Sequence, residues 1–510
     1  MNTQMYDAQA DTVNVADITT TENNKLILHN MRINRKGVMK LGQDSMEQLW
    51  IRNEVEDHTD YRPEGISDMG WLGYFVGRHE HLKYLHIKGN FVPTLGASIS
   101  DVLEPFFKGM SRNKSIGELN FEGVDLLGGR VFTTLDLFFK GNRNLTNINI
   151  DGCNFGEEGS RLFALALGSF TESSMKSLDL KNNNNISAEG MVDIITSLSM
   201  HPQLERLDIS EIHLNTNGCI ALSTLLQNST TLLETLRLPN NEIDDEGIDA
   251  LIPALKNCSR LKELKLCNNP RVTTKGWQHL ASILEAPNSS LKDLVMMENR
   301  IDDEVVVAFA NALMNNRTLN MLDLESANPS ITEKGFQAFS KLLCDTSSVN
   351  STFLSNHNIS DIDFGSTANT TSIDSLLQIN GTVNTINYVA VDKKEVATIK
   401  ILKHHNDFDM LPFFEWEFKV LPLMIDWFER ASSVTLPENF EPNIGPRKLS
   451  SIYQFVRGMP VEYVEAYLRK ELKDTKAEES QMEEKFRQRK QFLQDRKASI
   501  MKRLGQSSTK

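Results

Sequence analysis

One segment pattern, L-x-x-L-x-L-x-x-N, recurs along most of this chain and constrains its fold more than any other feature. The best copies are LETLRLPNNEI from Leu233, LKELKLCNNP from Leu261, LKDLVMMENRI from Leu291 and MKSLDLKNNNNI from Met175. Weaker copies begin at Leu82, Ile116, Leu145, Leu204, Leu319 and Val349, and a first copy is predicted from Met46. From Leu82 onward, successive copies begin 28 to 34 residues apart, which indicates one repeated structural unit.

Each unit has room for a strand, a loop and a helix of about three turns. After the predicted strand comes a glycine, followed by apolar residues at helical spacing such as Ala250, Leu251, Ala254 and Leu255. The leucines of the pattern face inward and stack on those of neighbouring units, each contributing roughly 1.5 to 3 kcal/mol. The sequence therefore predicts an α/β fold, a right-handed solenoid shaped like a horseshoe, with a parallel sheet on its concave side and helices on its convex side.

The ninth position of the unit carries a structural asparagine in several copies. These residues are Asn90, Asn183, Asn241, Asn269 and Asn299. Each is predicted to turn inward and satisfy backbone groups left unpaired where the strand ends. Where another residue stands at this position, as at Cys153, the hydrogen bonding is expected to be missing or replaced.

From about Met46 to His357 the chain resembles the ribonuclease-inhibitor-like family of leucine-rich-repeat proteins, which includes Ran GTPase-activating proteins and the repeat domains of innate-immune receptors. It is similar above all to a large group of such proteins in diatoms. That similarity extends to HHNDFDMLPFFEWEFKVLP (His404 to Pro422) and SSIYQFVRGMP (Ser450 to Pro460). The resemblance implies a protein-binding solenoid, and for the diatom group it implies no assigned activity.

The chain is predicted to contain five regions. Residues 1–22 are expected to be a mobile tail, and residues 23–80 a cap with a degenerate first repeat, in which KLILHNMRINR alternates like a half-buried strand. The repeat array is assigned to residues 81–380 and a helical cap to residues 381–460. For the cap, a bundle sealing the last coil and a separate ligand pocket are both considered.

Residues 461–510 are predicted to form a long charged helix. Met482, Phe486 and Leu493 lie four and seven residues apart, a spacing that a short coiled-coil seam would use. The stretch over residues 485–503 is strongly basic. A solvated helix, a helix that pairs with a partner over residues 461–505 and a nuclear-import or anion-binding patch remain open alternatives.

The concave face is the predicted binding surface, because alternate strand residues project from it and the core needs none of them. Its variable positions are basic and aromatic at the start, acidic in the middle, and then basic and apolar. Apolar side chains beside cations are typical of protein interfaces. The predicted contact residues are Arg237, Lys265, Val295 and Met297, with Trp50 and Phe353 as outlying anchors. The alternative is that these are ordinary variable surface positions.

The sequence contains no complete match to a common catalytic or cofactor-binding motif. Phosphate-cradling, dinucleotide-binding, nucleophile-elbow and HExxH patterns are absent. Two histidine groups, HEHLKYLH from His79 and the one at His404 and His405, lack partners at metal-ligand spacing, so no metal site is predicted. We expect neither a cofactor nor enzymatic activity.

Charge and cysteine usage narrow the choice of partners and compartment. The net charge of -14 is concentrated in residues 1–460, which disfavours binding of the main body to nucleic-acid phosphates. No apolar run is long enough to span a membrane, the start lacks a secretory pattern, and the five cysteines are scattered. These features predict a cytoplasmic protein, with a nuclear location as the alternative.

Two functions remain from the sequence. The first is a non-enzymatic scaffold that binds a protein partner on the concave face of the solenoid. The second is a GTPase activator of the Ran type, which works by ordering the catalytic groups of its GTPase and needs no motif of its own. The arginine that such activators use has no match here, and their acidic tail is replaced by a mixed, partly basic helix.

Overall fold

The computed structural model describes residues 3–34, 46–89, 99–126, 130–170, 174–228, 232–325, 331–365, 371–381, 393–405 and 461–507. The chain divides into two compact units. One consists of Met1–Asp345 with Leu354–Gly381, and the other of Thr346–Phe353 with Thr382–Lys510. The predicted cap over residues 381–460 lies largely outside the described residues.

Twelve strands within the described residues form one sheet in the first unit. The strands are β1 (Gln48–Ile51), β2 (Asp60–Tyr61), β3 (Tyr84–Lys88), β4 (Glu118–Glu122), β5 (Asn147–Asp151), β6 (Ser177–Asp179), β7 (Arg206–Asp208), β8 (Thr235–Arg237), β9 (Glu263–Lys265), β10 (Asp293–Val295), β11 (Met321–Asp323) and β12 (Asp361–Asp363). Their order is β12 to β3 in sequence, then β1 and β2, and every pair is parallel. The predicted α/β solenoid with a parallel sheet is confirmed.

A helix follows nearly every strand. The helices are α1 (Thr3–Gln9), α2 (Glu22–Asn34), α3 (Ile66–Val76), α4 (Ile99–Met110), α5 (Arg130–Gly141), α6 (Gly156–Ser169), α7 (Ala188–Ser197), α8 (Thr216–Gln227), α9 (Asp245–Asn257), α10 (Thr274–Ala281), α11 (Asp303–Ala312), α12 (Glu333–Leu343), α13 (Val349–Leu354), α14 (Thr371–Asn380), α15 (Lys393–His404) and the C-terminal helix (Val461–Ser507). From α3 to α12 each helix packs against the next, so the helices form a layer of their own.

The core lies between the sheet and this helical layer. In the unit that begins at Leu261, the residues at its three inward positions are at most 3% exposed, and Leu264 pairs in register with Leu236 and Leu294. Stacking of the same position in successive coils removes a continuous ribbon of leucine side chains from water. A single coil could not bury this apolar surface alone, which is why the repeats must associate.

The glycine after each strand permits close packing of adjacent helices. At Gly276, a β-carbon would clash with Oδ1 of Asp245 in the preceding helix, and at Gly190 it would lie 2.6 Å from Cβ of Ser160. The residue three positions earlier caps the helix in several coils; for example, the Asp244 carboxylate accepts a hydrogen bond from the Gly247 amide at 2.8 Å. Cap and glycine together determine where each helix begins.

Buried asparagines join successive coils at the strand ends. Each side-chain amide donates to a carbonyl of its own coil and to one of the preceding coil; for Asn269 these are Leu266 at 3.0 Å and Leu238 at 3.2 Å. The residues that share this arrangement are Asn183, Asn241, Asn269 and Asn299. Asn90 lies outside the described residues.

Cysteine replaces asparagine in one coil. Sγ of Cys153 accepts from the Val124 amide at 3.4 Å and donates to the Asp151 carbonyl at 3.5 Å. Burial raises the pKa of this thiol to about 12, so it stays protonated and able to donate. A thiol makes weaker hydrogen bonds than an amide, and this junction is correspondingly weaker.

The N-terminal segment differs from its sequence-based description. In place of a mobile tail over residues 1–22, helix α1 packs on α3, and the residues that follow it are hydrogen-bonded to Glu64. The Tyr6 ring is buried with its centroid 4.6 Å from that of Trp71, and Asp7 forms an ion pair at 2.6 Å with Arg78, just beyond α3. The aromatic face that α3 presents at the open end of the solenoid provides the surface for this packing.

The strand predicted from Lys25 is wrong, because the segment forms helix α2. Ile27, Leu28 and Met31 are fully buried, whereas Leu26 is 50% exposed. One helical face is therefore covered, and the apparent alternation of the segment matched a strand only by chance. The edge of the sheet is instead extended by β2, which pairs with β1 and was not predicted.

The repeat predicted from Val349 is also wrong. Residues Val349–Leu354 form helix α13, since Thr352 stands where the unit needs its second inward apolar residue. The last coil begins at Ile359, where ISDIDF supplies the inward residues Ile359, Ile362 and Phe364, all at most 7% exposed. This coil starts 40 residues after Leu319, because the insertion that contains α13 separates it from the period of about 29 residues that the other coils keep.

Candidate functional site: the open face of the sheet

The open face is the side of the sheet that the helices do not cover, and three rows of side chains project from it. In β9, Leu264 is fully buried, while Glu263 and Lys265 on either side are half-buried. The first row is Tyr84, Glu118, Asn147, Ser177, Arg206, Thr235, Glu263, Asp293, Met321 and Asp361. The second row is Trp50, His86, Asn120, Asn149, Asp179, Asp208, Arg237, Lys265, Val295, Asp323 and Asp363. A third row lies two residues beyond the second.

The N-terminal end of the open face is a stack of rings. The Trp50 and His86 rings lie 4.0 Å apart and nearly parallel, and the Arg52 guanidinium lies 5.3 Å from the Trp50 ring centre. Nδ2 of Asn120 lies 2.9 Å from Nδ1 of His86. Burial lowers the pKa of His86, which favours the neutral ring. Trp50, predicted as an outlying anchor, is thus half-buried and already engaged with two side chains of its own chain.

The middle of the open face is a network of carboxylates around one lysine. Nζ of Lys181 lies 3.2 Å from both Asp151 and Asp179. Burial raises the pKa of Asp179, and the nearby carboxylate of Asp208 raises it further, while Lys181 partly offsets both effects. The lysine therefore serves mainly to hold like charges together on neighbouring strands.

The four central contact residues predicted from the sequence do lie together, but they do not form a free cationic and apolar patch. Arg237, Lys265 and Val295 are in register on β8, β9 and β10. Glu263 lies 3.1 Å from Arg237 and 3.4 Å from Lys265, so one carboxylate engages both cations. Val295 is only 5% exposed and Met297 is half-buried.

Phe353, predicted as the second anchor, is not on the sheet. It lies in α13 and is 41% exposed. Because the last repeat begins at Ile359 and not at the predicted Val349, the residues at the C-terminal end of the open face are not among those predicted.

Those residues form an acidic patch, defined as Asp323, Glu325, Asp361 and Asp363. The carboxylate oxygens of Asp323, Glu325 and Asp363 lie within 4.8 Å of one another. Burial raises the pKa of Asp323, and so do the neighbouring carboxylates Asp363, Glu325 and Asp361. Within the described residues, no lysine or arginine side chain forms an ion pair with any of these four carboxylates.

The acidic patch is chemically suited to cations. Carboxylate oxygens at this spacing accept the ammonium or guanidinium groups of a protein, and they are also the ligand type that hard divalent ions prefer. Met321 and Met297 lie beside the patch, both half-buried, and add adaptable apolar surface. The expectation that the chain binds no metal remains a prediction.

Similarity to known proteins agrees with this architecture. The family model described as leucine rich repeat matches residues 172–194 and 230–251. Human NACHT, LRR and PYD domains-containing protein 13 is 30% identical over 154 residues, which are 30% of this chain and 14% of that protein. Ribonuclease inhibitor of Sus scrofa is 27% identical over 31% of this chain and 40% of the inhibitor. Human leucine-rich repeat-containing protein 73 is 28% identical over 46% of this chain and 63% of that protein.

The chain is built of leucine-rich repeats, and it is similar to proteins of the ribonuclease-inhibitor-like type. It spans less than two thirds of the length of each of these three relatives. The finer resemblances, to the diatom proteins and to Ran GTPase-activating proteins, remain predictions.

A recess lies on the helical side of the solenoid, between α7 and α8. The residues that line it include Val192, Asp193, Ile195, Ile220 and Leu225. Ile220 is 51% exposed. The recess is an open groove between two neighbouring helices. Because it lies away from the sheet, its residues can serve as controls for changes on the open face.

No helix among the described residues has both the length and the apolar character needed to cross a bilayer.

Proposed function

We propose that this protein is a non-enzymatic scaffold that binds a protein partner on the open face of its sheet. The fold supports this function because a solenoid presents a long row of side chains that its own core does not use. Its relatives belong to families built on the same repeat. The sequence contains no motif for group transfer or hydrolysis that would favour an enzyme.

The acidic patch is the observation that carries the choice of contact surface. Its carboxylates lie on, or just beyond, two adjacent strands, and no cation of the described residues forms an ion pair with them. The cations of Arg237 and Lys265, in contrast, already face Glu263. A partner gains more by supplying positive charge at the patch than by displacing an existing ion pair. The partner chemistry that fits is a segment with lysine or arginine beside apolar side chains, which would cover Met321 and Met297.

A pair of charge-reversal variants tests this assignment. Asp361→Lys with Asp363→Lys reverses two exposed charges of the patch, and Asp193→Lys with Glu285→Lys makes the same change at exposed positions away from the open face. Two probe peptides of equal length are used, one alternating lysine with leucine and one alternating glutamate with leucine. Fluorescence anisotropy then measures how each variant binds each peptide.

We expect the lysine peptide to bind the unaltered chain and the Asp193/Glu285 variant equally, and the patch variant at least about 10-fold more weakly. The glutamate peptide should bind neither the unaltered chain nor the Asp193/Glu285 variant, because both keep the acidic patch. Partners captured from the native cell should cross-link to residues 293–365 and be lost with the patch variant alone. Equal binding by both variants would place the interaction elsewhere and overturn the assignment.

A further inference from the structure

The C-terminal helix carries a row of apolar side chains that are exposed and that no other described part of the chain covers. It runs without interruption over 47 residues from Val461 to Ser507. Exposed fractions are 57% at Leu472, 67% at Met482, 73% at Phe486, 49% at Leu493 and 49% at Ile500. Helical stability in proteins comes mostly from packing of an apolar face, so a helix of this length with this row exposed calls for a packing partner.

The spacing of the row identifies the kind of partner. Leu472, Phe486, Leu493 and Ile500 fall on one heptad position, with Glu479 completing the column. Apolar residues at four of five positions spaced seven residues apart are typical of a helix that supercoils with another helix. The second seam column, three residues further on, is Thr475, Met482, Arg489 and Arg496.

Charge along the helix is divided between its halves. Residues 461–484 contain eight acidic and four basic residues, whereas residues 485–507 contain eight basic residues and one acidic residue. Two copies aligned in parallel would place the basic halves side by side. They would also put Arg489 and Arg496 against themselves inside the seam, at a cost in desolvation and repulsion.

An antiparallel arrangement reverses this relation. With the two helices fully overlapped about their midpoint at Glu484, the acidic half of each copy lies against the basic half of the other. In an antiparallel coiled coil, a residue of one seam column faces a residue of the other column in the second copy. Glu479 then faces Arg489 of the second copy, and Met482 faces Phe486 of the second copy.

We infer that the C-terminal helix is a self-association element, which pairs two copies of this chain as an antiparallel coiled coil in that register. The same register lets the entire helix pair, since Val461 and Ser507 are equidistant from Glu484. At the centre it gives two symmetry-related apolar layers of Met482 against Phe486, flanked on each side by an ion-paired layer of Glu479 against Arg489. Further out, Thr475 faces Leu493 and Leu472 faces Arg496. The dimer would present two open faces, so that a partner with two basic segments gains affinity through effective concentration.

The oligomeric state of the full chain is the first test. Light scattering on a sizing column at about 10 µM should give twice the 57.7 kDa mass of one chain. Phe486→Asp with Leu493→Asp removes two seam residues and should raise the dissociation constant by about 100-fold or more. The control, Gln488→Asp with Gln491→Asp, adds the same charge on the outer face of the helix and should leave the dimer intact.

Single cysteines test the orientation. Under mild oxidation, Glu479→Cys chains alone and Arg489→Cys chains alone should form no interchain disulfide beyond that of the unaltered chain, while an equal mixture of the two should. A parallel coil predicts the opposite result, because each cysteine would face itself.

Three outcomes overturn the inference. The first is a monomeric unaltered chain, which would leave the seam to a different partner. The second is a dimer that survives Phe486→Asp with Leu493→Asp, which would place self-association elsewhere. The third is disulfide formation by either single-cysteine variant alone. All three readouts are independent of peptide binding at the acidic patch.

Discussion

The middle and the ends of the solenoid are held together differently. From Met175 to Leu319 the coils begin 28 to 30 residues apart, and each repeats the inward leucines and, in most coils, the buried asparagine. At the N-terminal end, unique contacts such as the Tyr6 and Trp71 rings replace the repeat, and at the C-terminal end an insertion separates the last coil. Periodic contacts therefore stabilise the interior of the solenoid, whereas contacts of single side chains stabilise its caps.

The largest expected effect distinguishes a middle coil from the terminal one. Leu264→Ala removes a fully buried side chain with coils on both sides, and should lower the free energy of unfolding by about 3 to 5 kcal/mol. Ile362→Ala in β12 makes a similar truncation in a strand that has one neighbour, β11, among the described strands, and it should cost about half as much. Urea titration followed by circular dichroism measures both. An equal loss of unfolding free energy in the two variants would mean that a terminal coil stabilises the solenoid as much as a middle coil does.

The second prediction compares two coil junctions. Asn269→Ala removes one of the two asparagine amide donors from each of the Leu238 and Leu266 carbonyls, and should cost about 1 to 3 kcal/mol. Cys153→Ala removes only long thiol contacts and should cost about 1 kcal/mol or less. The two variants are compared by the same urea titration. A larger loss at Cys153 would contradict the weaker junction assigned to it.

The third prediction concerns the N-terminal cap and pH. Burial would raise the pKa of Glu64, but hydrogen bonds from the Thr20 amide, the Thr21 and Thr19 hydroxyls and the Thr21 amide outweigh it and lower the pKa to about 2. A lowered carboxyl pKa contributes stability that is fully present above about pH 4.5 and is lost as the pH falls towards 2.

For this partly exposed side chain we expect about 1 to 2 kcal/mol. Because pH 3 is still above the folded pKa, the unaltered chain should lose roughly half of that contribution between pH 7 and pH 3, and Glu64→Gln should not. Glu54→Gln, at an exposed neighbouring position, serves as the control and should behave like the unaltered chain. Hydrogen exchange of residues 3–34 at pH 7 should rise in Glu64→Gln alone. Unchanged exchange would remove Glu64 from the cap.

The smallest expected effect is at Arg237. Its partner Glu263 is 3.1 Å away, and the arginine side chain is 43% exposed. Ion pairs of this exposure contribute about 0 to 1 kcal/mol. Arg237→Gln should therefore change the unfolding free energy by less than about 1 kcal/mol, and it should weaken binding of the lysine peptide less than the acidic-patch variant does. A stronger effect on peptide binding than at the patch would restore Arg237 as a contact residue.

The sequence alone was enough for the architecture, because the inward leucines and the buried asparagines recur at one spacing and report local requirements of every coil. It also placed Arg237, Lys265 and Val295 side by side, since a parallel ladder with a fixed period sets their register. It could not show that Glu263 engages both cations or that Val295 is covered, because those facts depend on side chains from neighbouring coils.

The caps and the acidic patch were decided only by tertiary structure. Helix α2 is a helix because neighbouring elements cover one of its faces, and helix α1 packs because α3 offers Tyr6 an aromatic surface. The last coil at Ile359 has the required apolar pattern in its sequence, but an insertion moved it out of period. A repeat determines what every coil must share, while the ends and the exposed charges depend on which coils happen to be neighbours.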